Sequence, residues 1–145
     1  MWINQLTTIE ALAKSVPFDW KVYVKEHPSK VSIGVRPPSF YEEIKSYPNV
    51  DFIPMDTDPH EVIKNSQLVV VISSTPGWEA ILLHGKPVIH LVSQLFEITG
   101  LSKRCNNLLE ISKDIHTEIN RIKQKQISLS FILAKFKNFM LKHNL

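Results

Sequence analysis

Three consecutive hydroxyl side chains lie where a buried strand is predicted to turn into a helix. Ser73, Ser74 and Thr75 follow the apolar run 68–72, and Ser74 or Thr75 is predicted to cap a helix that begins near Pro76. Hydroxyl groups and the N–H groups of a helix N-terminus bind anions such as phosphate. Glu79, about one turn into the helix, can accept hydrogen bonds from a pair of sugar hydroxyls. The stretch predicts a nucleotide site, although a capped helix with a solvated Glu79 fits the same pattern.

A second polar cluster, Lys25-Glu26-His27-Pro28, ends another predicted strand, residues 20–25. Lys25 or His27 would supply positive charge to a phosphate. His27, with an ordinary pKa of about 6.5, would also protonate a departing phosphate. The structural alternatives are a core histidine bonded to a backbone carbonyl and a solvated lysine.

Alternating strands and helices are predicted to position these clusters. Apolar runs and turn residues give strands at 20–25, 50–54, 68–72 and 88–92, and helices at 7–14, 39–45, 58–65, 76–84, 107–125 and 128–143. This alternation predicts an α/β fold, a small doubly wound parallel sheet with C-terminal helices. Ligands of such sheets bind beyond the carboxyl ends of the strands, so we expect both clusters to contact one ligand. Residues 1–127 would form one Rossmann-like domain, and 128–145 an amphipathic helix.

Composition excludes several classes of protein. No apolar run approaches the roughly 18 residues of a membrane span, and no secretory signal is recognisable, so a cytoplasmic protein is expected. Residues 1–100 contain 8 Lys and Arg against 11 Asp and Glu, whereas residues 101–145 contain 9 against 3. Because the basic excess lies in the tail, no nucleic-acid partner is expected. Cys105, the single cysteine, excludes an internal disulfide, and we expect it near the surface.

Common catalytic and cofactor motifs are not found in the sequence. The chain has no dinucleotide-binding G-x-G-x-x-G, no P-loop and no G-x-S-x-G elbow. The remaining histidines show no metal-ligand spacing with acidic neighbours and are expected to be structural or on the surface: His60, His84, His90, His116 and His143. No metal and no separate cofactor is therefore expected.

The order of the motifs resembles the carboxyl-terminal half of capsule polysaccharide biosynthesis proteins, a family of GT-B glycosyltransferases. The resemblance covers roughly residues 7–100 and rests on residues 24–28, 34–36, 41, 48–50, 63–66, 73–80 and 85–89. The Lys-x-His-Pro and Ser/Thr elements are similar to paired motifs of Kdo transferases and bacterial sialyltransferases. The Ser-Ser-x-x-x-x-Glu pattern is similar, more distantly, to the UDP site of UDP-N-acetylglucosamine 2-epimerases.

The resemblance implies a nucleotide-sugar donor linked to CMP, UDP or GDP, with CMP favoured by the Lys-x-His-Pro match. It implies that His27 stabilises the leaving phosphate and that the donor is bound by Lys25, His27, Pro28, Arg36, Ser73, Ser74, Thr75, Gly77 and Glu79. The family's amino-terminal domain, which holds the glycan acceptor and the catalytic base, has no counterpart in the match, so this half alone is expected to be inactive. The alternatives are a non-catalytic nucleotide-binding or assembly module and half of an epimerase-like enzyme.

The predicted last helix is apolar on more than one stripe. Phe131 and Phe139 lie off the face formed by Leu129, Ile132, Phe136 and Met140. A helix that packs on one domain needs only one stripe. The second stripe is expected to contact the family's amino-terminal domain or, with Lys135, Lys137 and Lys142, the inner face of a membrane, and either would favour self-association of the isolated chain. A wide buried face is the alternative.

Overall fold

Parallel strands alternate with helices along the chain, so the predicted α/β class is confirmed. In this computed structural model, the described residues are 4–27, 36–73, 75–95, 97 and 100–123. The chain divides into two units, unit 1 (Met1–Thr57) and unit 2 (Asp58–Leu145), and each has its own sheet. No helix in the described part of the chain has both the length and the apolar character that crossing a bilayer requires.

The described residues of unit 1 form two parallel strands and two helices. In chain order they are α1 (Gln5–Ser15), β1 (Val22–Val24), α2 (Pro38–Lys45) and β2 (Val50–Phe52). β1 and β2 pair in register from Val22 opposite Val50 to Val24 opposite Phe52. The carboxyl ends of both strands therefore lie at the same edge of the sheet.

Helix α1 presents the predicted apolar face to the core of unit 1. Ile9, Leu12 and Ala13 are buried, and Ile9 and Ala13 share a cluster with Ile44 of α2. The sequence pattern places a capping box at Thr7, and this prediction is wrong. The helix begins two residues earlier, so the side chain of Asn4 accepts the N–H of Leu6.

Where unit 2 is described, up to residue 123, it forms three parallel strands and three α-helices. In chain order they are α3 (Pro59–Asn65), β3 (Val69–Val71), α4 (Pro76–Leu82), β4 (Val88–His90), β5 (Ser102–Arg104), a short 3-10 helix (Leu108–Glu110) and α5 (Ile111–Lys123). The sheet order is β3-β4-β5, which makes β4 the central strand. All three of its residues are buried, as expected for a strand covered on both faces. The sequence pattern predicts β3 and β4 but not β5.

Helix α4 packs on β3 and β4 and closes the core of unit 2. Ala80 and Ile81 are buried with Val88 of β4. The helix ends as predicted before Gly85, whose φ of 61° is open to glycine at little steric cost. That conformation lets the N–H groups of Gly85 and Lys86 bond to the carbonyls of Ile81 and Ala80 at 3.2 and 2.8 Å.

Helix α5 corrects two expectations about side-chain burial. The apolar spacing in 107–125 predicts that Leu109, Ile111, Ile115, Ile119 and Ile122 point inward. Ile111, Ile115 and Ile119 are buried, but Leu109 is 91% exposed, because it belongs to the 3-10 helix and lies outside the periodicity of α5. Cys105 is buried instead of near the surface, and its Sγ lies 3.3 Å from the carbonyl oxygen of Asn107. Burial, supported by the nearby carboxyl of Asp114, raises the pKa of this thiol to about 11.

Several predictions lie outside the described residues. These include the positions of Pro28 and Ser74 and the whole predicted helix 128–143, together with its proposed contacts. The predicted domain boundary after residue 127 also lies there and stays a prediction. The single predicted sheet is described as two sheets, one in each unit.

Candidate functional site

The predicted hydroxyl cluster lies at the carboxyl end of β3. Pairing between β3 and β4 continues past the strands, because the N–H groups of Leu91 and Val92 bond to the carbonyls of Val71 and Ile72 at 3.1 and 3.2 Å. Ser73 follows directly and is exposed. The chain thus leaves the sheet just before the residues that were predicted to bind an anion.

Helix α4 starts at the predicted residue but without the predicted cap. Thr75 occupies the N-cap position with helical backbone angles, and its side chain makes no capping hydrogen bond. The helical geometry of Thr75 explains this, since a capping side chain normally comes from a residue in extended conformation. Thr75 is exposed, Gly77 is buried and Glu79 is partly buried in the first turn. The hydroxyl of Thr75 is therefore not used to hold α4 in place.

Lys25, at the carboxyl end of β1, is engaged with the segment that follows β2. Its Nζ donates to the carbonyl oxygen of Met55 at 2.9 Å and lies 3.4 Å from that of Pro54. The side chain thereby ties together the ends of the two paired strands. His27, two residues further on, is exposed.

Glu26 is the centre of a partly buried network that the sequence pattern does not predict. One carboxylate oxygen lies 2.9 Å from Nε of Arg36, without the alignment of a hydrogen bond, and the other accepts the hydroxyl of Tyr41 at 3.0 Å. Arg36 also donates to Oε1 of Gln5, and its guanidinium carbon lies 4.1 Å from the ring centroid of Phe40. Arg36, a predicted ligand residue, is thus held by contacts within unit 1.

The burial of this network changes the pKa of the Tyr41 side chain. Burial raises the pKa of Tyr41, and the hydrogen bond to the Glu26 carboxylate acts in the same direction. Tyr41 therefore stays a neutral hydrogen-bond donor at physiological pH. The side chains of Arg36 and Glu26 are only 19% and 12% exposed, so their charges balance each other largely away from water.

A further group of polar side chains lies beyond the carboxyl ends of β4 and β5. Nε2 of the fully buried His90 lies 3.6 Å from Oε2 of Glu97, and the same oxygen accepts the hydroxyl of Ser93 at 3.0 Å. The other oxygen of Glu97 lies 3.7 Å from Arg104. The sequence pattern does not reveal this group, because Arg104 belongs to β5, a short and polar strand that is not predicted.

Burial and hydrogen bonding fix the charges in this group. Burial holds the pKa of His90 below its ordinary value, although the Glu97 carboxylate acts in the opposite direction. The hydrogen bond from Ser93 lowers the pKa of Glu97, and Arg104 adds to the effect. A neutral imidazole therefore faces an ionised carboxylate near pH 7.

The predicted site residues are divided between the two units. Ser73, Thr75 and Glu79 share one turn and helix of unit 2, whereas Lys25 and the other basic residues of the prediction belong to unit 1. That both groups bind one ligand stays a prediction. The described residues contain no group of three or more His, Cys, Asp or Glu side chains arranged for a metal ion.

Comparison with known proteins gives one family and one structure. The sequence model of a family described as capsule polysaccharide biosynthesis protein matches residues 4–140. No curated protein matches the chain. A crystal structure of the glycotransferase of kitacinnamycin is similar in fold, with a TM-score of 0.52 and 13% sequence identity. The match covers 93% of this chain and 37% of that one, so the chain spans a little over a third of that protein.

Proposed function

On the premise that this chain belongs to the capsule polysaccharide biosynthesis protein family, we propose that it is the donor-binding half of a glycosyltransferase. The reaction breaks the bond between the anomeric carbon of a sugar and the phosphate oxygen of its nucleotide. It forms a bond from that carbon to an acceptor hydroxyl of a growing surface polysaccharide. The acceptor and the base that takes its proton belong, in this proposal, to a further domain.

The observation that carries the proposal is the pair of exposed hydroxyls at the carboxyl end of β3. Ser73 and Thr75 lie at the edge of a parallel sheet where ligands of α/β proteins bind. Thr75 does not cap α4, so its hydroxyl has no structural duty there. Family membership over residues 4–140 supports a nucleotide sugar as the substrate class of this proposal.

Each side chain of this turn has a role in the proposed chemistry. The hydroxyls of Ser73, Ser74 and Thr75 would bind the phosphate, on which negative charge develops as the sugar leaves. Gly77, buried in the first turn of α4, would allow the backbone to approach the ligand closely. Glu79 would accept hydrogen bonds from sugar hydroxyls. No metal is needed for these contacts, because N–H and O–H donors stabilise the negative charge of the phosphate.

The unit 1 residues divide into two groups in this proposal. Lys25 already bonds to backbone carbonyls within its unit, so its ammonium group would contribute mainly as long-range positive charge, whereas the charge of Arg36 is balanced by Glu26. The exposed His27 is the residue of this unit that we assign to the leaving phosphate. The Lys-x-His-Pro sequence, with Pro28, favours a CMP-linked sugar over a UDP- or GDP-linked one.

Calorimetric titration of CMP, UDP and GDP into the full chain tests the proposal. We expect binding of at least one nucleotide, and a loss of about 1.5–3 kcal/mol of binding free energy in Glu79→Ala and in His27→Ala, as for a hydrogen bond to a charged group. Thr75→Ala should lose about 0.5–1.5 kcal/mol.

Matched variants in the 3-10 helix and in α5, at residues not assigned to the proposed site, serve as controls. Glu110→Ala, His116→Ala and Thr117→Ala remove the same side-chain types from exposed positions and should leave the affinity unchanged. No binding of any nucleotide at millimolar concentration would contradict the proposal and favour a non-catalytic assembly module. Preference for a UDP-linked N-acetylhexosamine over CMP would favour the epimerase-like alternative.

A further inference from the structure

The polar group beyond the carboxyl ends of β4 and β5 faces an open cavity. This cavity has a volume of about 590 Å³ and is lined by Ser93, Gln94, Leu95 and Glu97. Small-molecule sites in proteins usually enclose about 300–1,000 Å³ and combine apolar walls with a few polar groups. Leu95, which is 66% exposed, supplies an apolar wall, and the other three residues supply hydroxyl, amide and carboxylate groups. The cavity thus has the size and the mixed lining of a small-molecule site.

The carboxylate of Glu97 is held in place at the wall of this cavity. Its Oε2 accepts the hydroxyl of Ser93 at 3.0 Å and lies 3.6 Å from Nε2 of the fully buried His90. The backbone N–H of Glu97 donates to the carbonyl of Gln94 at 3.0 Å, which closes a tight turn. The carboxylate is therefore positioned before a ligand arrives, and this lowers the ordering cost of binding.

The second oxygen of this carboxylate has capacity to bind a ligand. Arg104 lies 3.7 Å from Oε1 of Glu97, which is longer than a hydrogen bond. The hydrogen bond from Ser93 and the charge of Arg104 hold the pKa of Glu97 below its ordinary value, so the group is ionised near pH 7. An ionised carboxylate accepts hydrogen bonds from hydroxyl groups and repels other anions. The cavity therefore favours a part of a ligand that carries hydroxyl groups and no negative charge.

The cavity lies beside the turn that the proposed function assigns to the phosphate. The N–H of Val92 bonds to the carbonyl of Ile72 at 3.2 Å, so the pairing of β3 with β4 extends to these residues. Ser73 and Ser93 are the next residues of the two adjacent segments. Neighbouring strands of a sheet lie about 4.8 Å apart. A group that is joined to a phosphate bound at Ser73 can therefore reach the cavity.

We propose that this cavity binds the sugar of the nucleotide-sugar donor and that Glu97 is a specificity-determining residue, which accepts hydrogen bonds from the sugar hydroxyls. The inference rests on the proposed function and adds to it a site for the transferred group. Leu95 packs against the C–H groups of the sugar ring, and Ser93 positions the carboxylate. A site that bonds a substrate hydroxyl rejects analogues that lack this hydroxyl. The segment 93–97 thus selects the sugar, whereas the turn after β3 binds the phosphate that all donors share.

Calorimetric titration of paired ligands into the full chain tests this assignment. The pairs are UDP with UDP-glucose and UDP-N-acetylglucosamine, GDP with GDP-mannose, and CMP with CMP-N-acetylneuraminic acid. We expect Glu97→Gln and Glu97→Ala to lose at least about tenfold in affinity for a sugar-linked nucleotide, as for a hydrogen bond to a charged group, and to bind the sugar-free nucleotide unchanged. Ser93→Ala should lose about two- to tenfold. Glu110→Gln, at an exposed position of the 3-10 helix, should bind every ligand like the natural chain.

The outcomes separate the sugar site from the proposed function. The nearly isosteric Glu97→Gln guards against unfolding, which far-UV circular dichroism detects. If the sugar-linked nucleotide binds the folded Glu97 variants as tightly as the natural chain, the sugar site is overturned and the proposed function stands. Binding of a sugar-free nucleotide without binding of any sugar-linked form also overturns the sugar site alone.

If no nucleotide binds, the proposed function is contradicted, and the cavity is tested by itself. Saturation-transfer NMR with the methyl glycosides of glucose, N-acetylglucosamine and mannose makes this test on the full chain. Transfer to a glycoside that is lost in Glu97→Gln supports a sugar site. Transfer that is unchanged in this variant, or no transfer to any of the three glycosides, overturns it.

Discussion

The polar side chains that follow β1 and those that follow β3 are used in different ways. After β1, Lys25 bonds to backbone carbonyls, and Glu26 contacts Arg36 and Tyr41. After β3, Ser73 and Thr75 are exposed, and Thr75 makes no capping bond. The two clusters have the same sequence pattern, polar residues that follow a predicted strand. The first cluster is thus engaged in contacts within its unit, whereas the two described hydroxyls of the second cluster are exposed.

The largest expected effect comes from removing the centre of the first cluster. Glu26→Ala leaves Arg36 without its counter-charge in a largely buried setting, so we expect a loss of about 3 kcal/mol in the free energy of unfolding, measured with urea. The exposed pair of Lys21 and Asp51, also at 2.9 Å in unit 1, is the control, and Asp51→Ala should cost about 0–1 kcal/mol. Equal losses in the two variants would show that the Glu26 network does not hold unit 1 together.

A second prediction concerns the buried histidine at the carboxyl end of β4. Burial lowers the pKa of His90, so the unfolded chain takes up this proton first as the pH falls. The free energy of unfolding should therefore decrease as the pH falls below about 6.5, by at most about 1.4 kcal/mol per pH unit, until the pKa of folded His90 is reached. His90→Asn should abolish the part of the slope that His90 contributes to the natural chain.

Denaturant unfolding between pH 7.5 and pH 5.5 measures the slope. The lowered pKa of Glu97 acts in a separate window, because its stabilising effect is lost only as the pH falls below about 4.5. A slope that is unchanged in the His90 variant would contradict the assignment. It would mean that other groups govern stability in this pH range.

The smallest effect separates a structural cap from an unused hydroxyl within unit 2. Asp58 caps α3 through its side chain, so Asp58→Ala should lower the free energy of unfolding by about 1 kcal/mol. Thr75 precedes α4 without capping it, so Thr75→Ala should cost less than about 0.5 kcal/mol. A cost for Thr75→Ala as large as that for Asp58→Ala would mean that the Thr75 hydroxyl supports α4 as a cap does and is not an unused group after β3.

Local sequence patterns predicted most of the central segment. Neighbouring residues specify the strand in the run 68–72, the helix start at Pro76, the helix end before Gly85 and the strand that begins at Val88. The cap at Asn4 lies three residues before the predicted cap at Thr7, and α1 starts two residues earlier than predicted. These features depend on backbone preferences and burial periodicity, which a sequence carries directly.

Features that depend on partners distant in sequence were not predicted. Arg36 looks like a ligand-binding cation until Glu26, ten residues earlier, is found beside it. Strand β5 has the sequence Ser-Lys-Arg and forms only because it pairs with the buried β4. Leu109 fits a helical stripe by spacing but lies in a separate 3-10 turn. In each case tertiary contacts decide what the local pattern leaves open.

The rate at which a reagent modifies Cys105, the single cysteine of the chain, can measure how often unit 2 opens. Cys105 follows β5, and its N–H bonds to the carbonyl of His90 at 2.9 Å. With a pKa of about 11, only about 0.1% of this thiol is thiolate at pH 8, against about a quarter of an ordinary cysteine. An alkylating reagent should therefore modify it chiefly in molecules whose β4–β5 region has opened. The labelling rate under native conditions would then report how often that part of the sheet separates.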